Sequence, residues 1–275
     1  KKELTVVTDR VFHLAEAADA YGAAWSHDRA ETRSLEQLAF VLSRLGQYDK
    51  AFEHFRALLD IAPDSHRAHH NFGLLQLETG HAAEALASFT RALQLQPETV
   101  ESLTCVGHAL RDLGRVEEAI AYYDQALALR PAFGDALANR ALALLKKCRF
   151  AEGWQDYEAR TATRSNYLPR PYEYETWRGE SLAGKTLLVY GEQGLGDEIM
   201  FASCLNAVIE QAARCIIDCS PKLEALFARS FPSATVCGVD QAGGDASAVN
   251  AHGQIDFQIA AGSLPGLFRN SAQDF

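Results

Sequence analysis

The sequence predicts a molecule of two parts, an α-helical repeat superhelix followed by an α/β domain. Two observations predict this fold class. One fixed period runs through residues 1–160, and from residue 185 onward short apolar segments alternate with helical patterns. Residues 161–184, between these regions, are rich in proline and aromatic side chains and predict a rigid linker.

The helical repeats are predicted by columns of similar residues that share one spacing. The step from one member of a column to the next is about 34 residues, a length typical of one helix–turn–helix unit in a repeat protein. Five independent columns with one period exclude coincidence. The columns are Gly46, Gly80 and Gly114; Ala51, Ala85 and Ala119; Phe55, Phe89, Tyr123 and Tyr157; Leu59, Leu93 and Leu127; and Pro63, Pro97 and Pro131.

The residue types in these columns explain how one unit folds. In the third unit, Leu103, Val106 and Leu110 lie on one face of a first helix, because their spacing matches the helical period. Gly114 then breaks the helix at a tight turn. Pro131 ends the second helix, because it lacks an N–H group and clashes with the preceding turn.

This pattern closely resembles the tetratricopeptide repeat (TPR) family. Within residues 1–160 we expect three full repeats, a degenerate fourth repeat, and a partial repeat at the start that includes Trp25. The resemblance implies a superhelix whose concave face binds a protein or an extended peptide. The groove residues that it implies are Gln37, Phe40, Arg67, His70, Asn71, Leu74, Arg111 and Asn139.

Two of these residues have a second interpretation. Asn71 and Asn139 share one repeat column with Gln37 and Cys105, and in some TPR superhelices an asparagine in this column holds the backbone of the bound peptide. Alternatively, Asn71 and Asn139 form hydrogen bonds to neighbouring helices of the array. The sequence leaves both roles open.

The region 185–275 is predicted as an α/β domain with a mostly parallel sheet. Strands are predicted at Thr186–Tyr190, Cys215–Asp218, Thr235–Val239 and around Ile259. Helices are predicted from about Glu198 to Ala213, from Pro221 to Ser230, and as a turn over Ser263–Phe268. A polar loop is predicted at Ala242–Gly253.

Short motifs from Trp177 onward resemble heptosyltransferase-like glycosyltransferases of bacteria, particularly those joined to TPR repeats. The motifs are Trp177–Gly179, Leu182–Lys185, the strand Leu187–Tyr190, the run Glu192–Asp197, and Ser263–Pro265. The resemblance implies that residues 185–275 are a Rossmann-like domain, forming the first half of a two-domain (GT-B) enzyme.

The resemblance also implies site residues in the loop after the first strand. Asp197 would be the general base that deprotonates an acceptor hydroxyl, and Glu192, Gln193, Gly194 and Gly196 would bind substrate. Gly194 and Gly196 allow the backbone to approach a ligand closely. Asp197 has an alternative role as the cap of the helix expected at Glu198.

Two functions follow. In the first, the repeats select a polypeptide and the α/β domain supports transfer of a sugar to it. We expect no tightly bound cofactor, because the half that holds the nucleotide-sugar donor would lie outside this sequence and this chain alone would be inactive. In the second, the chain is a non-enzymatic TPR adaptor.

Composition excludes several other classes of function. The net charge of −10 disfavours nucleic-acid partners, which need a basic surface. No segment is long and apolar enough to insert into a membrane. The six cysteines lack the spacing of a metal site, so we expect no metal and a reducing, cytoplasmic location.

Overall fold

The computed structural model describes residues 2–28, 31–161, 170, 172–240 and 247–275. The chain divides into two compact units, Lys1–Asn139 and Arg140–Phe275. This division falls inside a helix of the repeat region and so differs from the boundary that we predicted at residue 160. Among the residues described, no helix has both the length and the apolar character needed to span a bilayer.

The first unit consists of helical hairpins, as the fixed period of the sequence predicts. Helices α2 and α3, α4 and α5, and α6 and α7 form the three full repeats, and α1 packs against α2 as the second helix of a partial repeat. Helix α8 begins in this unit and ends in the second one. The bounds are α1 Lys2–His27, α2 Thr32–Arg44, α3 Tyr48–Ile61, α4 His66–Glu78, α5 Ala82–Leu95, α6 Val100–Asp112, α7 Val116–Leu129 and α8 Gly134–Lys146.

Each repeat turns at a residue whose backbone is left-handed. Gly46, Gly80 and Gly114 have φ angles of 72°, 82° and 77°, and Cys148, at the equivalent position of the fourth repeat, has a φ of 57°. A residue with a β-carbon is strained in this region, whereas glycine is not. The glycine column of the sequence therefore reflects a backbone requirement, which the fourth repeat meets at some cost in free energy.

A second set of glycines allows the two helices of a repeat to approach each other. A β-carbon on Gly73 would lie 2.6 Å from the ring of Phe89, and one on Gly107 would lie 2.5 Å from the ring of Tyr123. Both rings are fully buried. Thus the aromatic column of the second helix packs directly on the backbone of the first helix.

The second unit contains the later part of the fourth repeat and a five-stranded sheet. The strands are β1 Glu175–Thr176, β2 Thr186–Tyr190, β3 Arg214–Cys219, β4 Thr235–Gly238 and β5 Phe257–Ala260. The helices are α9 Phe150–Tyr157, α10 Leu195–Phe201, α11 Leu205–Ile209, α12 Glu224–Ser230, α13 Ser247–Asn250 and α14 Pro265–Phe268, and short 3-10 turns cover Glu158–Thr161, Ala202–Cys204, Ala261–Ser263 and Ala272–Asp274.

All neighbouring strands of the sheet are parallel, in the order β1-β5-β2-β3-β4. The chain proceeds outward from β2 through β3 to β4 and then returns to the other side of β2 with β5. The direction of winding therefore reverses between β2 and β5. Open parallel sheets bind ligands outside the carboxyl ends of their strands at such a reversal.

Apolar side chains cover both faces of this sheet, which is usual for parallel strands. Leu187 and Val189 lie on one face, in a core that also includes residues of α10, α11 and α12. Leu188 and Ile216 lie on the other face, where they pack with Tyr172. The alternation along β2 explains why the sequence Leu187–Tyr190 is apolar throughout.

The structure corrects several predicted boundaries. The helix expected from Glu198 begins at Leu195 and is broken by the turn Ala202–Cys204, and the helix expected from Pro221 begins at Glu224. The predicted linker contains strand β1, and α13 lies within the predicted loop 242–253. Tyr167, Pro169 and Pro171 of the linker, and residues 241–246, lie outside the described residues.

Candidate functional site

The first candidate site is the surface that α2 and α4 form with Gln37, Phe40, Asn71 and Leu74, which we call the first-helix face. Phe40 and Leu74 occupy the same repeat position and are 40% and 36% exposed. The other side of each helix is buried in the hairpin core. Thus two large apolar side chains, one repeat apart, face solvent at the site where a groove was predicted.

A buried carboxylate links the two helices beneath this face. Glu36 on α2 is 8% exposed. Its Oε1 accepts a hydrogen bond from Asn71 Nδ2 at 2.9 Å and lies 3.2 Å from an Nη of Arg67, both on α4. Asn71 and Arg67 therefore hold α4 against α2.

Similar bridges connect the later first helices. His70 Nδ1 on α4 lies 2.9 Å from Ser102 Oγ on α6. Burial lowers the pKa of His70, which favours its neutral form. Arg111 on α6 donates to Asn139 Oδ1 at 2.8 Å, and Asn139 Nδ2 donates to the carbonyl of Asp135 at 2.8 Å.

The predicted groove residues therefore form two groups. Gln37, Phe40 and Leu74 are at least partly accessible. The remaining five members form hydrogen bonds or ion pairs between successive first helices, which is the alternative role weighed for Asn71 and Asn139. Capture of a peptide by these two asparagines stays a prediction.

The second candidate site is the loop between β2 and α10. Asp197 is the third residue of α10, and its Oδ2 accepts the backbone N–H of Gly194 at 3.2 Å. An acidic residue at this position commonly caps a helix in this way. The helix thus begins earlier than predicted, and the carboxylate has a structural contact. Its role as general base stays a prediction.

Two other loop residues contact the end of α9 and the turn that follows it. Glu192 is 1% exposed, and its Oε1 accepts from Arg160 Nε at 3.0 Å. The amide of Gln193 exchanges hydrogen bonds with the Tyr157 hydroxyl at 3.0 and 3.1 Å. These contacts attach the loop to the end of the fourth repeat.

Arg160 fills the space between the ends of β2 and β5. Besides Glu192, its guanidinium donates to Ser263 Oγ at 2.8 Å and to Glu158 at 2.9 Å. A β-carbon on Gly262 would lie 2.6 Å from Glu192 Oε1, so only glycine leaves room for this ion pair. The point where the sheet reverses is therefore partly occupied by the chain itself.

A second buried ion pair lies at the end of β3. Asp218 Oδ2 accepts from the Tyr172 hydroxyl at 2.8 Å, and its Oδ1 lies 3.1 Å from an Nη of Arg170, at ion-pair distance but without hydrogen-bond geometry. Burial raises the pKa of Asp218 to about 7, although Arg170 favours the ionised form. Burial also raises the pKa of Glu198, which accepts the N–H of Ser220.

The second unit also contains a cavity of about 490 Å³, which we call the strand-end cavity. It lies at the last residues of β1, β5 and β2. Its polar and aromatic lining was not predicted as a site. It is lined by Ala151, Trp154, Gln155, Glu158, Thr176, Trp177, Arg178, Tyr190, Ile259, Ala260, Ser263, Gly266 and Leu267.

None of the five predicted loop residues, which are Glu192, Gln193, Gly194, Gly196 and Asp197, lines this cavity in the described part of the chain. Two features of the sequence could have indicated the lining of this cavity. Residues 151, 154, 155 and 158 have helical spacing, and a tryptophan follows β1. The described residues contain no group of three His, Cys, Asp or Glu side chains arranged to hold a metal.

Comparison with known families identifies the repeats. The tetratricopeptide repeat model matches residues 28–98, and a second TPR repeat model matches residues 107–147. The chain therefore contains TPR repeats. Together with the exposed first-helix face, they are suited to binding a protein or peptide.

One curated relative is Protein FlbA of Caulobacter vibrioides, which is 31% identical over 203 residues. The match covers 72% of this chain, more than either compact unit contains, so it includes residues of both units. The chain spans only 29% of the length of FlbA.

A solved structure of a MamA protein shares the helical-repeat fold. A MamA RS-1 double mutant aligns with a TM-score of 0.50 and 18% identity, over 60% of this chain and 97% of that chain. YrrB, described as a TPR protein with an unusual peptide-binding site, aligns with a TM-score of 0.47 and 19% identity, over 54% of this chain and 76% of its own.

Proposed function

We propose that the TPR repeats of this chain form an interaction module that binds an extended peptide segment of a partner protein on the first-helix face. The exposure of Phe40 and Leu74 at equivalent repeat positions carries this proposal. Large apolar side chains that recur on one surface mark a binding site more often than isolated ones do. Glu36, Asn71 and Arg67 fix the spacing of the two helices beneath it.

Partner binding can be tested with a displayed library of random peptides selected on the immobilised chain. We expect enriched peptides to bind the wild-type chain and to lose at least about tenfold in affinity for a Phe40→Ser/Leu74→Ser double variant, because each change removes apolar contact area. Ile61→Ser is the matched control, since Ile61 is 47% exposed on α3, outside this face.

Two results would contradict this proposal. One is the absence of any peptide enriched over the bare support. The other is a set of peptides that bind the double variant and the wild type equally well.

A second candidate function is the transfer of a sugar in a longer parent protein. The observation that favours it is the parallel sheet, whose winding reverses between β2 and β5 and whose β2 is followed by the run Glu192–Asp197. We propose that this sheet is the Rossmann-like first half of a glycosyltransferase, that Asp197 accepts the proton of the acceptor hydroxyl, and that a further domain supplies the nucleotide-sugar donor.

Asp197→Asn in the longest natural form of the protein tests this second function. Asparagine can still accept the Gly194 N–H and preserve the start of α10. It cannot act as a base, so sugar transfer should fall by about 10²- to 10⁴-fold while partner binding is unchanged. Transfer at the wild-type rate by a folded variant would refute the role of Asp197.

A further inference from the structure

A groove of about 650 Å³ lies between α3 and the hairpin of α4 and α5, entirely within the first unit. We call it the α3–α5 groove. Each helix contributes residues three or four positions apart, which share one helix face. The lining residues are Asp49, Phe52, Glu53 and Arg56 from α3, Phe72 and Gln76 from α4, and His81 and Glu84 from the start of α5.

Gln76 is the lining residue at which the second repeat departs from the pattern of the array. The other three repeats have leucine at this position, and all three leucines are buried: Leu42, Leu110 and Leu144. Gln76 is buried as well, at 7% exposed, and its Oε1 accepts a hydrogen bond from Ser88 Oγ at 2.7 Å.

Only one end of the Gln76 amide is satisfied by this contact. Its N–H₂ group has no hydrogen-bond partner among the residues that the structure describes. A donor on a buried side chain costs free energy when it has no acceptor. Because Gln76 lines the groove, a ligand in the groove can supply the missing acceptor.

The charges around the groove favour a cation. Asp49, Glu53 and Glu84 are exposed, and the side chain of none of them forms an ion pair or hydrogen bond with a described residue. Arg56 is the single lysine or arginine of the described lining. Three carboxylates against one guanidinium attract a positively charged ligand and repel nucleic acid and anionic lipid.

The aromatic rings of the groove are suited to a cation with an organic stem. Phe52 and Phe72 pack edge to face, with ring centroids 5.7 Å apart, and both are half-buried. The guanidinium carbon of Arg56 lies 5.7 Å from the centroid of Phe52, so the chain itself places a cation over this ring. Arginine and lysine stems pack on such apolar surface while their charged ends reach polar groups.

We propose that the α3–α5 groove binds an extended segment of a partner protein that carries arginine or lysine side chains. The rings contact the stem, the carboxylates pair with the charge, and the Gln76 amide donates to a backbone carbonyl of the segment. A metal ion would use neither the rings nor the amide, and a free polyamine has no carbonyl for Gln76. A volume of about 650 Å³ lies in the range of sites that enclose whole organic ligands.

The proposal is tested by fluorescence anisotropy of labelled decapeptides with the intact chain. The salt concentration is about 0.15 M, which screens attraction between distant exposed charges. Four probes share one alanine–glycine sequence and carry two arginines, two lysines, two citrullines or two glutamates. We expect the arginine or lysine probe to bind at least about tenfold more tightly than the neutral citrulline probe, because charge-assisted hydrogen bonds are lost in the latter. The glutamate probe should not bind.

Two variants locate the site. Gln76→Leu keeps every charge and should weaken binding by about two- to tenfold, because one hydrogen bond is lost. Its melting temperature should not fall, since leucine fills this position in the other repeats. Glu53→Gln/Glu84→Gln should weaken binding by at least about threefold. Asp60→Asn/Glu210→Gln is the matched control, because it removes the same charge from exposed positions outside the groove.

This site is independent of the functions proposed above. The Phe40→Ser/Leu74→Ser variant, which alters the first-helix face, should bind the arginine probe as the wild type does. Loss of binding in that variant would place the probe on the first-helix face and overturn the proposal.

Three other outcomes would also overturn the proposal. One is the absence of binding by both the arginine and the lysine probe at millimolar concentration. Another is an equal loss of affinity in Asp60→Asn/Glu210→Gln and in Glu53→Gln/Glu84→Gln, which would show general attraction to an acidic protein. The last is unchanged affinity of Gln76→Leu, which would leave the amide without a role in binding.

Discussion

Replacement of Arg160 by methionine should destabilise the second unit by about 3–5 kcal/mol. The side chains of Arg160 and Glu192 are 7% and 1% exposed, and their Nε and Oε1 atoms are 3.0 Å apart. Arg160→Met therefore leaves the Glu192 carboxylate buried without its cation, and it also removes the hydrogen bond to Ser263. The magnitude is that of breaking a desolvated ion pair from one side.

The double variant Arg160→Met/Glu192→Gln provides the control. It removes both charges, and replacing a buried pair by neutral groups costs far less than leaving one charge alone. We therefore expect the double variant to be more stable than Arg160→Met. Urea unfolding followed by tryptophan fluorescence measures this, since Trp154 and Trp177 belong to the second unit and only Trp25 to the first.

This reasoning would be refuted if Arg160→Met cost less than about 1 kcal/mol, or if the double variant were less stable than either single variant. The same experiment separates two roles of Glu192. A structural role predicts that Glu192→Gln lowers stability, whereas a role only in binding substrate predicts unchanged unfolding.

Three further predictions concern stability and are checked by thermal or urea unfolding. Cys148→Gly should stabilise the chain by about 1 kcal/mol, because the φ of 57° is strained for cysteine, and Cys148→Ala, which keeps the β-carbon, should change little. Gly73→Ala should destabilise it by about 1–3 kcal/mol, because the new methyl group would meet the ring of Phe89 at 2.6 Å. Burial raises the pKa of Asp218 to about 7, so the native state holds a proton that the unfolded chain releases at lower pH. Its contribution to stability is therefore complete below about pH 4 and is lost as the pH rises through about 7, and Asp218→Asn should remove this loss.

The helical repeats could be predicted because their determinants are local. Gly80 sets a left-handed turn within its own hairpin, and Pro97 lies two residues after the last residue of α5. Strand β2 could also be predicted from the sequence, because Leu187, Leu188 and Val189 form an unbroken apolar run and are fully buried. In each case a few neighbouring residues carry the information, and no distant contact is needed.

The features that escaped prediction depend on contacts between distant parts of the sequence. Strand β1 consists of only two residues, Glu175 and Thr176, and both are exposed. It forms because β5 offers an edge with which to pair. Arg160 meets Ser263 across 103 residues. The strand-end cavity needs α9, the end of β1 and α14 together. No pattern among neighbouring residues predicts such long-range contacts.

The use of α9 both as a repeat helix and as a wall of the strand-end cavity limits how this array can evolve. Repeat proteins commonly gain or lose whole hairpins, because each hairpin contacts only its neighbours. Loss of the last hairpin here would remove Ala151 and Trp154, which line the cavity. It would also disrupt the ion pair between Arg160 and Glu192. We therefore expect variation in repeat number among homologues to lie before α8, and the last hairpin to be inherited together with the sheet.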